Sequence, residues 1–327
     1  MKWVCAILLI ALFSNPAASH VPLTPSPGNN LYSAVLIPDP EKTYAVYGTL
    51  HDPGEADYYR LTLNANQMLE LQLSVPDPSF MPTLVVMGPS IEAKNAPPDN
   101  IKVPEGDGVI VLPGTRPEHA WYEPFSPMSI YQVLNYSLPA GSPGDYYVAV
   151  YSQDQAGAYT LATGSLEEFS PSEWVMVPLD LIKVRLWQGQ ALLLIFGPMI
   201  VVTIVGILIL WSNKRRRSTN AWLAAISGLT LLGTAATIAL QTAIALRSAP
   251  VSSDVLVTMI FLAASLLLGL AAVFLSSREW SLRVRAAMLV IGVMGLVFWS
   301  GLIIGPLLAF LAAVLQHNMA RQSPSKS

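Results

Sequence analysis

Four apolar stretches fill the second half of the chain, at 191–211, 221–246, 255–275 and 286–315. Each is long enough to cross a ~30 Å hydrocarbon core, which takes about 20 apolar residues as a helix. Within a bilayer the backbone polar groups must be satisfied by protein, so such stretches fold as helices. None of the four contains Asp, Glu, Lys, Arg or His. Only 12% of the 327 residues are charged and 53% are hydrophobic, whereas a soluble domain carries about 25% charged residues. A purely soluble or disordered chain is therefore excluded.

Charge divides the chain in two. Residues 20–188 carry 19 acidic and 7 basic side chains, and residues 189–327 carry 2 acidic and 10 basic ones. The overall charge of −3 gives no general affinity for nucleic acid. Lys214, Arg215, Arg216 and Arg217 follow the first apolar stretch directly. The positive-inside rule makes that loop cytoplasmic and residues 20–188 extracytoplasmic, in a multi-pass protein of the cell membrane. The loop holding Arg278, Glu279, Arg283 and Arg285 is then also cytoplasmic. One cue opposes a four-span reading: four crossings put the 316–327 tail outside, yet it carries Arg321 and Lys326. The last stretch contains Gly305-Pro306 and reads as one kinked helix, with a re-entrant pair as the alternative. Gly301 and Gly305 form a GxxxG that suits close helix packing, within the bundle or between subunits. Ion pumps and proton-coupled carriers keep ionisable groups inside their bundles, so their absence here argues against transport. Gln241 is the most polar residue at membrane depth.

The amino terminus reads as a secretory signal over residues 1–19. Lys2 precedes a short apolar run, Asn15-Pro16 breaks it, and Ala17-Ala18-Ser19 supplies small residues for cleavage before His20. The single cysteine, Cys5, lies inside that segment. Cleavage then leaves no thiol for nucleophilic catalysis or metal binding.

Residues 20–42 are Pro-rich, lack a clear period and read as a lead-in arm. From 43 to 168 apolar and polar residues alternate in short runs, the signature of half-buried strands. Eight runs are expected, at 43–50, 57–63, 68–75, 83–87, 108–112, 131–138, 145–151 and 158–163. Pro and Gly punctuate the gaps. The pattern predicts an all-β sandwich or jelly-roll domain, followed by a 169–190 linker and an all-α four-helix transmembrane bundle over 191–315.

The runs Gly48-Thr-Leu, Gly54-Glu-Ala-Asp-Tyr-Tyr-Arg-Leu-Thr-Leu and Leu69-Glu-Leu-Gln-Leu resemble the first half of the bacterial pre-peptidase C-terminal domain. Pro82-Thr-Leu-Val-Val-Met-Gly-Pro resembles its middle strand. Gly144-Asp-Tyr-Tyr-Val-Ala-Val-Tyr and Gly157-Ala-Tyr-Thr-Leu resemble its closing hairpin. The resemblance covers about residues 43–164 and implies a small β-sandwich that accompanies secreted enzymes and serves in binding or secretion. No protease precedes the domain, and a Pro-rich insert occupies 90–127, so no enzymatic role is carried over.

Three candidate sites emerge. His20, as a mature amino terminus, could chelate copper through its amine and imidazole, with His51 or His119 as a further nitrogen ligand and Met81 or Met128 nearby. Asp52, Glu55 and Asp57 form an acidic turn with oxygen ligands suited to calcium. Trp121, Tyr122 and Phe125 form an aromatic cluster able to stack on a sugar or a peptide, to cover an open sheet edge, or to rest on the membrane. Asn135-Tyr-Ser137 is a glycosylation sequon. No hydrolase, metalloprotease or phosphate-loop signature occurs. The expectation is a non-enzymatic binding or assembly module in the lipid bilayer, recognising an extracellular protein or glycan. Its membrane half would contact a membrane-protein partner or a second copy. Copper handling and a role as an accessory subunit of a membrane enzyme or carrier are the alternatives.

Overall fold

The period-two pattern yields the eight expected strands, and three further strands and one helix arise outside it. The computed structural model describes residues 20–24, 28–92, 95–213 and 217–315; the signal segment, Lys214 to Arg216 and the 316–327 tail lie outside them. The first unit comprises the described residues up to Glu173 with Asp180–Gln190 and Thr242–Val257; the second comprises Trp174–Leu179, Ala191–Gln241 and the described residues from Thr258.

In the first unit the strands are β1 (Val21–Leu23), β2 (Val35–Leu36), β3 (Tyr44–Leu50), β4 (Ala56–Leu63), β5 (Met68–Val75), β6 (Thr83–Gly88), β7 (Gly108–Pro113), β8 (Trp121–Glu123), β9 (Met128–Pro139), β10 (Gly144–Tyr151) and β11 (Gly157–Thr163). They form two sheets, ordered β1-β3-β11-β5-β9-β8 and β2-β4-β10-β6-β7. Alternate residues of both sheets, among them Val46, Leu61, Leu71, Leu84, Val148 and Leu161, meet in one buried core. The Pro-rich arm is more than a lead-in: β1 pairs parallel to β3 and β2 parallel to β4, so it supplies an edge to each sheet. The insert also has a structural task. Its Ile101 and Val103 cover the outer face of the second sheet around Tyr58, Val85 and Met87.

A polar bridge crosses the sandwich core. Tyr159 Oη on β11 donates to Asp57 Oδ2 on β4 at 2.6 Å and lies 2.5 Å from Tyr59 Oη. Asp57 is 2% exposed, and burial raises its pKa despite the Tyr159 hydrogen bond. Tyr159 reaches this point by passing over its register partner Gly48, where a Cβ would lie 2.3 Å from the ring.

The stretch read as a linker holds a helix, α1 (Pro171–Trp187). Ser170 and Glu173 cap its first turn reciprocally, with Pro171 inside the start. Within the first unit, Glu173 is also bound at 2.6 and 2.8 Å by Lys42 Nζ, just before β3.

The second unit contains three helices long and apolar enough to cross a membrane: α2 (Leu192–Ser212), α3 (Thr219–Ala245) and α4 (Val255–Leu275). The fourth predicted span is not one helix. It is a hairpin of α5 (Leu282–Val297) and α6 (Ile304–Val314). At 1.5 Å per residue α6 is only about 16 Å long, too short for a ~30 Å core. The chain reverses at 298–303, where Trp299, Gly301, Leu302 and Ile303 all have φ between 51° and 77°. Gly292 then faces the Phe310 ring and Gly295 faces Pro306, an antiparallel pairing. Gly301 therefore lies in the bend and Gly305 in α6, so the GxxxG does not form one helical face. Gly305 instead packs against Thr230 and Leu231 of α3.

The hairpin is held to α3 by polar side chains at its bend, at the first turn of α6 and at its end. Asn220, Ser227 and Thr234 recur every seven residues, which keeps them on one face of a 3.6-residue helix. Asn220 Nδ2 donates to Ala312 O and Leu315 O at 2.9 and 2.8 Å, capping the end of α6. Ser227 Oγ donates to Gly305 O at 2.7 Å, and Gly301 N–H donates to Thr234 Oγ1 at 2.8 Å. Trp174 Nε1 donates to Val297 O at the end of α5, at 3.2 Å. Ser265 of α4 bonds Ser300 in the bend. Thr234→Val keeps the shape but leaves the Gly301 N–H unpaired. We expect a loss of about 1–3 kcal/mol, read as a lower unfolding temperature in detergent and faster amide exchange at 298–303.

Candidate functional site

The β8–β9 hairpin gathers the first unit's most distinctive chemistry. β8 pairs antiparallel with β9, with Trp121 opposite Ile130 and Glu123 opposite Met128. Alternation turns Tyr122 inward and Trp121 outward. Tyr122 is 1% exposed and packs with Ala120 against Ala245 and Ala249, at the end of α3 and just beyond it. Its hydroxyl lies 3.4 Å from Thr242 Oγ1. Trp121 remains 40% exposed. Phe125 is half-buried, and its N–H donates to Glu123 Oε1 at 3.2 Å. The predicted aromatic triplet thus divides: Trp121 is exposed, Phe125 is half-buried, and Tyr122 is a packing residue.

The end of α1 locks the same hairpin from another side. Arg185 is 7% exposed. Its Nη1 donates to Pro127 O at 2.9 Å and to Gln188 Oε1 at 3.2 Å. Gln188 Nε2 reaches Met128 Sδ at 2.7 Å. Trp187 Nε1 donates to Gly48 O at 2.7 Å, and its ring meets Tyr47 edge-on at 4.9 Å. Burial lowers the Arg185 pKa to about 10, so it stays cationic at neutral pH. Burial pushes Glu123 up to about 7, and the negative charges of Asp254 and Glu167 add to that rise.

The other candidate residues lie elsewhere in the first unit. His20 is half-buried just before β1, with its pKa lowered by burial. His51 is exposed in the β3–β4 turn and His119 is exposed before β8. Among the described residues no three His, Cys, Asp or Glu side chains gather into a metal set, and the three histidines stand on separate segments of the first unit. Met81 packs against the sandwich core, and Met128 is buried under Gln188. The acidic turn likewise diverges. Glu55 accepts the backbone N–H groups of His51 and Asp52, while Asp57 points into the core. This leaves no three-carboxylate set for calcium.

Glu123 and Arg185 escaped the sequence reading because each is a lone charge with no motif around it. The Ser170-Pro-Ser-Glu173 capping signature was legible and marks α1. The seven-residue repeat of Asn220, Ser227 and Thr234 was legible too, and it continues to the buried Gln241. No protein-family model matches the chain, and no curated protein matches it. Arg185→Met should strip the Pro127 carbonyl and Gln188 of their donor. We expect about 1–3 kcal/mol of destabilisation, seen as earlier thermal unfolding and loosened exchange at 124–128.

Proposed function

We propose that this chain is a membrane-anchored binding or assembly module. Residues 20–188 face the extracytoplasmic side and recognise a protein or a glycan, and the helices anchor that head in the bilayer. The fold assignment to a domain like the pre-peptidase C-terminal family belongs to the same proposal. Three features support the orientation: the signal-like amino terminus, the Lys214 to Arg217 collar, and the course of α6. α6 ends beside Asn220, so Leu315 lies near the α3 end that follows Arg217. In this proposal the basic segments share the cytoplasmic face, as the positive-inside rule requires.

One observation carries the binding reading. Trp121 projects from a sheet edge while its neighbours on both sides are fixed, Ala120 and Tyr122 by packing and Glu123 by pairing with Met128. An exposed indole on a rigid base offers a large stacking surface at little cost in side-chain entropy. A photo-crosslinking residue at position 121 in intact cells should give one discrete adduct, competed by excess purified protein and absent when it is placed at exposed Asn135 on β9. A smear at 121, or the same adduct at 135, would contradict a specific site there.

A further inference from the structure

We infer that the second unit binds one anionic phospholipid where α3 begins and α4 ends, with the phosphate between Arg217 and Arg278 and an acyl chain along the outer face of α4. A hydrogen bond brings the two guanidiniums to one place. Arg217 Nη1 donates to Ser276 Oγ at 2.9 Å, just two residues before Arg278 in the chain. Ser276 is buried and donates in turn to Val273 O at 2.7 Å, so Arg217 is fixed against the end of α4. Aromatic rings support both cations. The Arg217 guanidinium lies 5.8 Å from the Trp222 ring, and that of Arg278 lies 4.4 Å from the Phe274 ring.

The local charge is one-sided. The described segments 217–223 and 276–285 hold Arg217, Arg278, Arg283 and Arg285 against Glu279 alone. No ion pair among the described residues involves any of these. Cations held together repel, and an anion between them relieves that repulsion. The planar guanidinium fork matches the oxygens of a phosphate. The surroundings favour a lipid phosphate over a dissolved one. Leu267, Leu270 and Phe274 are exposed on α4, and their spacing of three and four residues makes one apolar strip leading to Arg278. That strip belongs to a helix long enough to cross a membrane, which ends at Leu275. Arg278 therefore stands at the depth of the lipid headgroups. An apolar strip ending at paired cations fits an acyl chain ending at a phosphate. A choline lipid brings its own ammonium, which the arginines repel, so the site prefers a lipid with net negative charge. The inference rests on the helices lying in a bilayer, and it is independent of which face is cytoplasmic and of what Trp121 binds.

Native mass spectrometry of the full chain in detergent, titrated with phosphatidylglycerol or with phosphatidylcholine, tests this. One phosphatidylglycerol should be retained in preference to phosphatidylcholine. Arg217→Gln and Arg278→Gln should each weaken its binding roughly tenfold, the scale of one hydrogen bond to a charged group. Phe274→Ala should weaken it too, whereas Lys102→Gln, which removes an exposed charge of the first unit, should not. Equal retention of the two lipids would overturn the site, as would wild-type affinity in Arg278→Gln or an equal loss in Lys102→Gln. Displacement of the lipid by inorganic phosphate at equal concentration would assign the arginines to a dissolved anion and overturn the lipid. Should Arg217→Gln not fold, Arg278→Gln decides alone, since no hydrogen bond of its side chain is lost among the described residues. A chain that stays soluble without detergent would contradict the anchoring itself, and the lipid site with it.

Discussion

A chain that reverses direction among apolar helices leaves backbone groups in need of partners, and α3 holds the reversed segment with a row of short polar side chains. Asn220, Ser227 and Thr234 reach three separate points of the α5–α6 hairpin: its end, the first turn of α6 and the bend. Irregular backbone is tolerated at membrane depth only where protein surrounds and satisfies it. The remaining arrangement of the second unit follows. α4 approaches α3 so closely at Gly228 and Gly269 that a Cβ on Gly228 would lie 2.7 Å from the Gly269 carbonyl. Trp174, Trp299, Phe261 and Phe298 then close over the bend in a chain of ring contacts 4.7–5.8 Å apart.

The first unit meets the opposite problem. Its strands satisfy their own backbones, but a sandwich with Pro-rich extensions has edges and an outer face to cover. The arm caps an edge of each sheet, and the insert shields the second sheet. Inside, the Asp57–Tyr159–Tyr59 bridge joins the sheets through charge-capable groups rather than through a disulfide. Among the described residues of the first unit, the β8 edge leaves the Trp121 indole exposed while Tyr122 beside it is buried.

All eight alternating runs became strands, because period-two patterning reports burial directly. β1, β2 and β8 left no such signal; each has two or three residues and depends on a neighbouring strand for its hydrogen bonds. The fourth apolar stretch misled because hydropathy measures length and greasiness but not direction. Gly301 and Gly305-Pro306 marked the break. The acidic turn looked suggestive by residue type alone, and the fold sends Glu55 to the turn backbone and Asp57 into the core. Conversely, Glu123 and Arg185 gain their character entirely from tertiary burial, which no local pattern encodes.

Sidedness of single cysteines, introduced at Ser218, Val251, Ser281 and Leu315 in a chain lacking Cys5, tests the folded-back hairpin most directly. The account predicts that Ser218, Ser281 and Leu315 react with an impermeant thiol reagent from one face of the membrane and Val251 from the other. Labelling of Leu315 together with Val251 would mean that the last apolar stretch crosses the bilayer, and the polar row of α3 would have lost its purpose.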